Sequence, residues 1–541
     1  MRQIIFAILF LFLFSFSSSA AGIEGVEIFG IDEMRMSNDL AYDVFLKEYF
    51  RNKLGIQLVL KEKVRKASPH GHHVFFEQLY LGLPIHRAFV KLNLSLSGYI
   101  LSIAYHVYDT EKYDGKDIDQ KFDESSWMKL SNQKMAQNIT EKFFAKEAGM
   151  YRGYTADVIE FHPISNVRYE IYDGRIQSQH DMNVYLKDTT IYVKVHGPDP
   201  LTSSQTYYGQ LFKDSNDIVN ADLNKQLKSH SIGAKFNELN EKFLLENDHF
   251  RMVDKSSPQN VVPQLFDRNF NYTRFDDEFE SVNAFYHLSI FSDYIKRLGF
   301  TNLQDSFLDV DALGKLDDNS AFLENMNPQL LIFGEGGVDD AEDADVVIHE
   351  YGHYIAAQAA PYSNEGHERK SIDEANCDYF ATSYSRNISS FRWNDMFTWD
   401  GHNEFWQGRQ MINELKYPMD TSTSIHINGT IWAAMMCELQ TEIGRIETDN
   451  ILLQSIYSYY PGMKFKDAGQ LLLQADELIY NKKYQCIIEK YLRNRGLLPN
   501  DISIPCYDQF LLFDPSITSR EVCKNDSFNI GVSLFNIGIG Y

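Results

Sequence analysis

The chain has 541 residues, 44% of them hydrophobic and 23% charged, which is globular composition and not that of a disordered or low-complexity polymer. Lys and Arg number 51 against 75 Asp and Glu, and a formal net charge of −24 leaves no electrostatic footprint for nucleic acid or an anionic membrane. At roughly 150 residues per domain the length suggests three or four domains.

The N-terminus reads as a secretory signal over residues 1–20. Arg2 supplies the positive start, the run from Ile4 to Phe16 is apolar apart from Ser15, and Ser18-Ser19-Ala20 offers small residues for cleavage. That run is far shorter than the roughly 20 apolar residues a membrane span needs. The mature protein is therefore expected outside the cytoplasm, secreted and free of the membrane.

Residues 70–108 look like antiparallel sheet. Val90, Leu92, Leu94 and Leu96 alternate with polar or small neighbours, and Ser97-Gly98 makes a tight turn into the next strand. A helix is expected over 138–148, then two or three strands between Val167 and Val195. Gly197-Pro198-Asp199-Pro200 with Leu201-Thr202-Ser203-Ser204 reads as a linker over 197–204, and it sets a domain boundary.

Beyond the linker the pattern turns helical. Phe285, Leu288, Phe291 and Ile295 recur at helical spacing and stop before Gly299. Further helices fit 345–360, ended by Pro361, and then 371–385, 430–443 and 467–480. Residues 505–541 turn strand-like and read as the start of an incomplete β domain. All five cysteines fall in the last third with no CxxC pair, which argues against a cysteine zinc site. Cys506 and Cys523 are candidates for a pair that spacing alone does not establish.

The strongest chemical signal is His349-Glu350-Tyr351-Gly352-His353, an H-E-x-x-H pattern. Residues four apart share a helix face, so both imidazoles can reach one ion, and Glu350 sits one residue round, where it can hold a water without ligating the metal. A catalytic zinc needs a third protein ligand. Glu374 is the candidate, but Ser371 and Glu374 also spell a helix-capping box, and spacing leaves the two readings even. Asp378, one turn further on, could orient a ligand histidine through its second ring nitrogen.

His349-Glu350-x-x-His353 combined with Glu374-x-x-x-Asp378 resembles the gluzincin metallopeptidases, and within them the fungalysin and thermolysin group. Asn319-Ser320-Ala321-Phe322 followed by Gly334-Glu335-Gly336 resembles the family's substrate-binding edge strand and turn. Tyr362-Ser363-Asn364-Glu365 resembles its tyrosine segment, and Ser424-Ile425-His426-Ile427-Asn428-Gly429 the stretch carrying its third active-site histidine. Phe465-Lys466-Asp467-Ala468 looks like a C-terminal helix of fungalysins. His73-Val74-Phe75-Phe76-Glu77-Gln78 with Gly82-Leu83-Pro84 resembles the fungalysin/thermolysin propeptide module.

The resemblance implies an α+β chain: a sheet-plus-helix propeptide, then a two-lobed thermolysin-like zincin domain with a strand-rich N-lobe and a helical C-lobe. The propeptide would span 21–196, as one module over about 30–115 and a second over about 120–196, and the metallopeptidase domain would span 205–500. It implies one Zn²⁺ held by His349, His353 and Glu374, with Glu350 as general base and His426 and Tyr362 as donors to the oxyanion. Asp378 would orient a ligand, and Ser320, Ala321 and Arg409 would bind substrate. Here Thr423 and Ser424 stand near His426 where thermolysin-like chains carry an orienting Asp, and Asp420 lies further off.

The acidic run Asp339, Asp340, Glu342, Asp343 and Asp345 precedes the zinc helix. It complements a helix dipole and equally offers Ca²⁺ clustered oxygens. Asp345 stands where thermolysin has a calcium ligand, but the stretch near Ser385-Arg386 lacks the downstream carboxylates. The expected activity is that of a secreted zinc endopeptidase made as a zymogen. It would act on protein or peptide substrates, with its own propeptide as intramolecular chaperone and inhibitor. The alternative is a catalytically inactive, binding-only relative of the same fold.

Overall fold

The structure, a computed structural model, describes residues 22–36, 41–80, 82–109, 186–215 and 217–500, and between 136 and 181 the backbone of four strands. The expected signal segment and the strand-like stretch 505–541 lie outside the described residues.

The first unit is β1 (Ile23–Ile28), α1 (Tyr42–Leu54), β2 (Leu60–Ser68), β3 (Gly71–Tyr80), β4 (Leu83–Ser95) and β5 (Ile100–Val107), with strand order β1-β5-β4-β3-β2. Period-two alternation gives this sheet two buried faces. Val74, Phe76, Val90, Leu92 and Ile103 pack under Leu46 and Phe50 of α1. Phe75, Phe89 and Ala104 turn the other way and join the core of the rest of the chain. Burying each phenylalanine there contributes about 1.5–3 kcal/mol to holding the unit in place. α1 escaped the sequence reading; it ends where Gly55 adopts φ 68°, the left-handed C-cap that glycine supplies without strain.

The second unit is a meander of β6 (Ala136–Phe144), β7 (Tyr151–His162), β8 (Ser165–Tyr172) and β9 (Arg175–Asp181). The helix expected over 138–148 is corrected here: its described part, 138–144, is strand. Ile139, Thr140, Phe143 and Phe144 are β-branched or aromatic, residue types that suit a pleated sheet.

Next come β10 (Leu186–Val195), α2 (Pro200–Ser204), α3 (Ala221–Asn224), β11 (Lys228–Asn237), β12 (Lys242–Leu244), β13 (Phe250–Met252), β14 (Gln264–Leu265) and β15 (Asn269–Phe270). β10 pairs with β11 along its whole length, in the order β14-β12-β11-β10-β15. The expected boundary at 196/197 falls between two paired strands of this sheet, β10 and β11. The expected linker over 197–204 is corrected to a buried corner. Asp199 accepts from the N–H of Leu201 (2.8 Å) and Thr202 (2.9 Å), Pro200 fills the first helical position, and Asp199 and Leu201 are buried.

The remainder is α4 (Glu278–Arg297), β16 (Leu308–Lys315), β17 (Ala321–Leu323), β18 (Gln329–Gly334), α5 (Ala344–Ala359), α6 (His367–Ile388), β19 (Asp395–Met396), β20 (Arg409–Gln410), α7 (Ile425–Ile443), α8 (Arg445–Ile456), α9 (Phe465–Tyr480) and α10 (Gln485–Asn494). A mixed sheet, β13-β16-β18-β17, leaves β17 at its edge. Phe285, Leu288, Phe291 and Ile295 of α4 are all buried, as their spacing predicts. The chain as described is α+β, with strands concentrated before α5 and helices after it. Cys377 and Cys437 are free and buried. Cys486 is disulfide-bonded, and the candidate pair Cys506 and Cys523 lies outside the described residues.

Candidate metal centre

α5 begins at Asp343, whose side chain accepts from the N–H of Asp345 at 2.9 Å, and it stops just before Pro361. His349 and His353 therefore lie one turn apart on one face, ring centroids 5.0 Å apart. α6 runs close beside α5 because Gly352 has no side chain. A Cβ there would meet Cys377 Sγ at 2.9 Å, closer than real Cβ atoms come without a shift, and its Cα at 3.0 Å, a tight contact.

That close approach delivers Glu374. Its Oε2 lies 3.3 Å from His349 Nε2 and 3.8 Å from His353 Nε2. The three ligand atoms stand within 4.8 Å of one another. Ligands about 2.0–2.1 Å from a tetrahedral ion stand about 3.3–3.4 Å apart, so the spacing suits one zinc-sized ion. Glu374 Oε2 is buried and has no hydrogen-bond partner. Such an oxygen, aimed at imidazole nitrogens, fits a metal ligand and not a helix cap. The capping-box alternative fails independently: α6 starts at His367, and Ser371 Oγ instead donates back to His367 O at 3.0 Å.

Each ligand imidazole is gripped on its far side by a carboxylate. His349 Nδ1 lies 2.9 Å from Asp378 Oδ1, and His353 Nδ1 lies 2.7 Å from Asp373 Oδ2. Asp373 in turn accepts from Arg369 (2.7 Å) and Asn364 (3.1 Å). The sequence reading assigned Asp378 and missed Asp373; the available signal was its place beside Glu374, with Arg369 one turn earlier. Burial works against charge here, yet Asp378 and Glu374 outweigh it and raise the His349 imidazole. Burial likewise tends to raise the Glu374 carboxyl, but the surrounding imidazoles hold it far below the usual carboxylate range.

The other expected residues divide. Glu350, Ser320, Ala321, Arg409 and His426 line one cleft of about 650 Å³ together with the three ligands. His426, in the first turn of α7, brings Nε2 within 3.3 Å of Glu374 Oε2. Asp420 is engaged elsewhere, accepting from the N–H of Lys416 at 2.8 Å. Ser320 Oγ donates to Asp340, and Ala321 opens the edge strand β17. Arg409 lines the cleft and binds Asp378. Tyr362 is corrected: it does not line the cleft. At φ 64° it turns toward the first unit, its ring 5.9 Å from that of Phe75 and 4.2 Å from Lys63 Nζ.

The acidic run is occupied by protein donors. Glu342 pairs with Arg274 and accepts from Trp399 Nε1 at 2.7 Å. Asp345 accepts from Ser385 Oγ and from the N–H of Phe397 at 2.9 Å, which anchors the loop after α6.

No family model and no curated protein matches the chain. Among solved structures, the C-terminal domain of Bacillus megaterium YpeB covers 28% of this chain and 70% of its own, at 14% identity. Its TM-score is 0.17, a likeness too slight to carry an argument.

Proposed function

We propose that this chain is a secreted zinc endopeptidase of the gluzincin type, made as a zymogen and built on the two-lobed plan of the fungalysin and thermolysin-like enzymes. The observation that carries the reading is the convergence of His349 Nε2, His353 Nε2 and Glu374 Oε2 at zinc-ligand spacing. These three residues would hold the ion. When bound, zinc supplies Lewis acidity that polarises a peptide carbonyl and acidifies water.

The remaining work falls to side chains of the cleft. Glu350, one residue round the helix from His349, accepts the proton of the attacking water and hands it to the departing amine. Asp378 and Asp373 hold the two ligand rings in place. His426 donates toward the negative charge that develops on the carbonyl oxygen. β17, an edge strand with Ala321 at its start, offers unpaired backbone to an extended substrate.

The zymogen reading draws on the first unit, which sits on the segment just after α5. Phe75 and Lys63 engage Tyr362, and Arg87 lies 3.5 Å from Glu365. The reading is tested with purified full chain allowed to process itself and then given casein. Hydrolysis that stops with a zinc chelator and returns on adding zinc is expected. Hydrolysis indifferent to the chelator would refute it.

A further inference from the structure

The cleft holds a second convergence of charge, outside the metal centre. Asp318, Asp340 and Asp400 each bring one carboxylate oxygen within 4.8 Å of the others, and all three line the cleft that contains His349 and Glu350. Asp318 is exposed, while Asp340 and Asp400 are each only 3% exposed. Asp400 supplies an independent sign of a missing partner. Its Oδ2 accepts from Trp406 Nε1 at 3.1 Å, but its buried Oδ1 has no hydrogen-bond partner. A buried carboxylate oxygen without a donor is costly.

Among the described residues no lysine or arginine pairs with these three carboxylates. The nearby guanidinium of Arg409 is taken by Asp378, and Arg274 serves Asp214, Asp217 and Glu342. Burial, reinforced by neighbouring carboxylates, pushes all three carboxyls up, Asp340 to about 8. Glu350 lines the same cleft as Asp340 and adds to the repulsion that it feels.

We propose that Asp318, Asp340 and Asp400 form a subsite for a basic side chain of the substrate, a lysine ammonium or arginine guanidinium flanking the cleaved bond; this rests on the hydrolytic reading above. An ammonium has three donors, and three acceptors about 2.8 Å from its nitrogen stand about 4.6 Å apart, a separation compatible with three oxygens that lie within 4.8 Å of one another. The Phe397 and Trp406 rings, centroids 5.3 Å apart, line the same cleft and suit the aliphatic stem. Calcium fits less well. It takes six to eight oxygens, whereas Asp340 Oδ2 already accepts from Ser320 Oγ and the Gly334 N–H, and Asp400 Oδ2 from Trp406.

The test uses the full chain and peptides identical except for one position carrying Lys, Arg, norleucine or Glu. Cuts beside Lys or Arg are expected, with kcat/KM at least ~100-fold above the norleucine peptide, because a site built for a polar group rejects an analogue that lacks it. Anisotropy binding to Glu350→Gln should rank the peptides in the same order. Asp318→Asn, at an exposed position that spares folding, should lower the preference at least ~10-fold, and Asp400→Asn should erase it. Cleavage without basic preference would overturn the subsite and leave hydrolysis standing. Lys-selective binding by Glu350→Gln with no cleavage by the wild type would do the reverse. Neither binding nor cleavage would overturn both. Displacement of the Lys peptide by millimolar calcium, with less calcium bound by Asp400→Asn, would make the cluster a metal site and end the proposal.

Discussion

At the residue scale the centre depends on which carboxylate touches the ion and which only steadies a ring. Glu374 Oε2 faces the imidazoles, whereas Asp378 grips the far side of His349. Glu374→Ala should therefore abolish zinc retention through dialysis, and Asp378→Ala should weaken affinity by roughly 10–100-fold. Zinc content after dialysis decides it; equal loss in both variants would contradict the division of roles. The H-E-x-x-H pair was legible because four-residue spacing is itself the geometry. Glu374 was not separable from a capping residue on spacing, since that depends on where α6 begins. Asp318 and Asp400 are 82 residues apart in sequence, and nothing local marks them as neighbours.

At the element scale the centre rests on how closely α5 and α6 approach. Gly352 sits against Cys377, so Gly352→Ala should push the helices apart, at a cost of about 1–3 kcal/mol from overpacking. Thermal unfolding should show the loss, and zinc occupancy should fall with it although no ligand is touched. Unchanged occupancy would mean that the ligands do not depend on this contact. α4 was readable because Phe285, Leu288, Phe291 and Ile295 recur at helical spacing and are all buried, and α5 because its apolar run ends at Pro361. Residues 197–204 misled, because Gly, Pro and Ser suggest an exposed linker. Asp199 shows why composition failed: it caps α2 and accepts from Thr398 Oγ1 at 2.8 Å, a partner almost 200 residues away.

At the scale of the whole molecule the first unit and the rest share one core, and buried titratable groups lie where they meet. His73 stacks on Tyr457 at 5.1 Å, and burial, helped by the charge of Lys91, lowers it to about 3. Away from that junction, burial also lowers His196 and His287 to about 3. Near pH 4 the unfolded chain, whose histidines titrate near 6.5, binds protons that the folded chain refuses. Their contribution is thus complete above about pH 6.5 and is lost as pH falls toward 3. The acidic cluster has the opposite sign: with Asp340 raised from 3.8 to about 8, its contribution is full below about pH 4 and is lost as pH rises from there to about 8. His73→Gln should lose less Tm than the wild type between pH 6.5 and 4. An acid limb as steep in the variant would exclude His73 as a source of the loss.

The sheet-to-helix shift along the chain was legible from periodicity. The docking of the first unit was not, because Phe75 and Phe89 read as ordinary inward residues of a sheet and nothing in their spacing says which core they join. In the proposed mechanism Glu350 works beside a zinc ion held by His349, His353 and Glu374. Zinc content and peptide hydrolysis, measured together on wild type and Glu350→Gln, test it most directly. The expected result is one zinc per chain in both, with hydrolysis lower by at least ~100-fold in the variant. A wild type without zinc, or a variant that keeps more than about a tenth of the turnover, would contradict it.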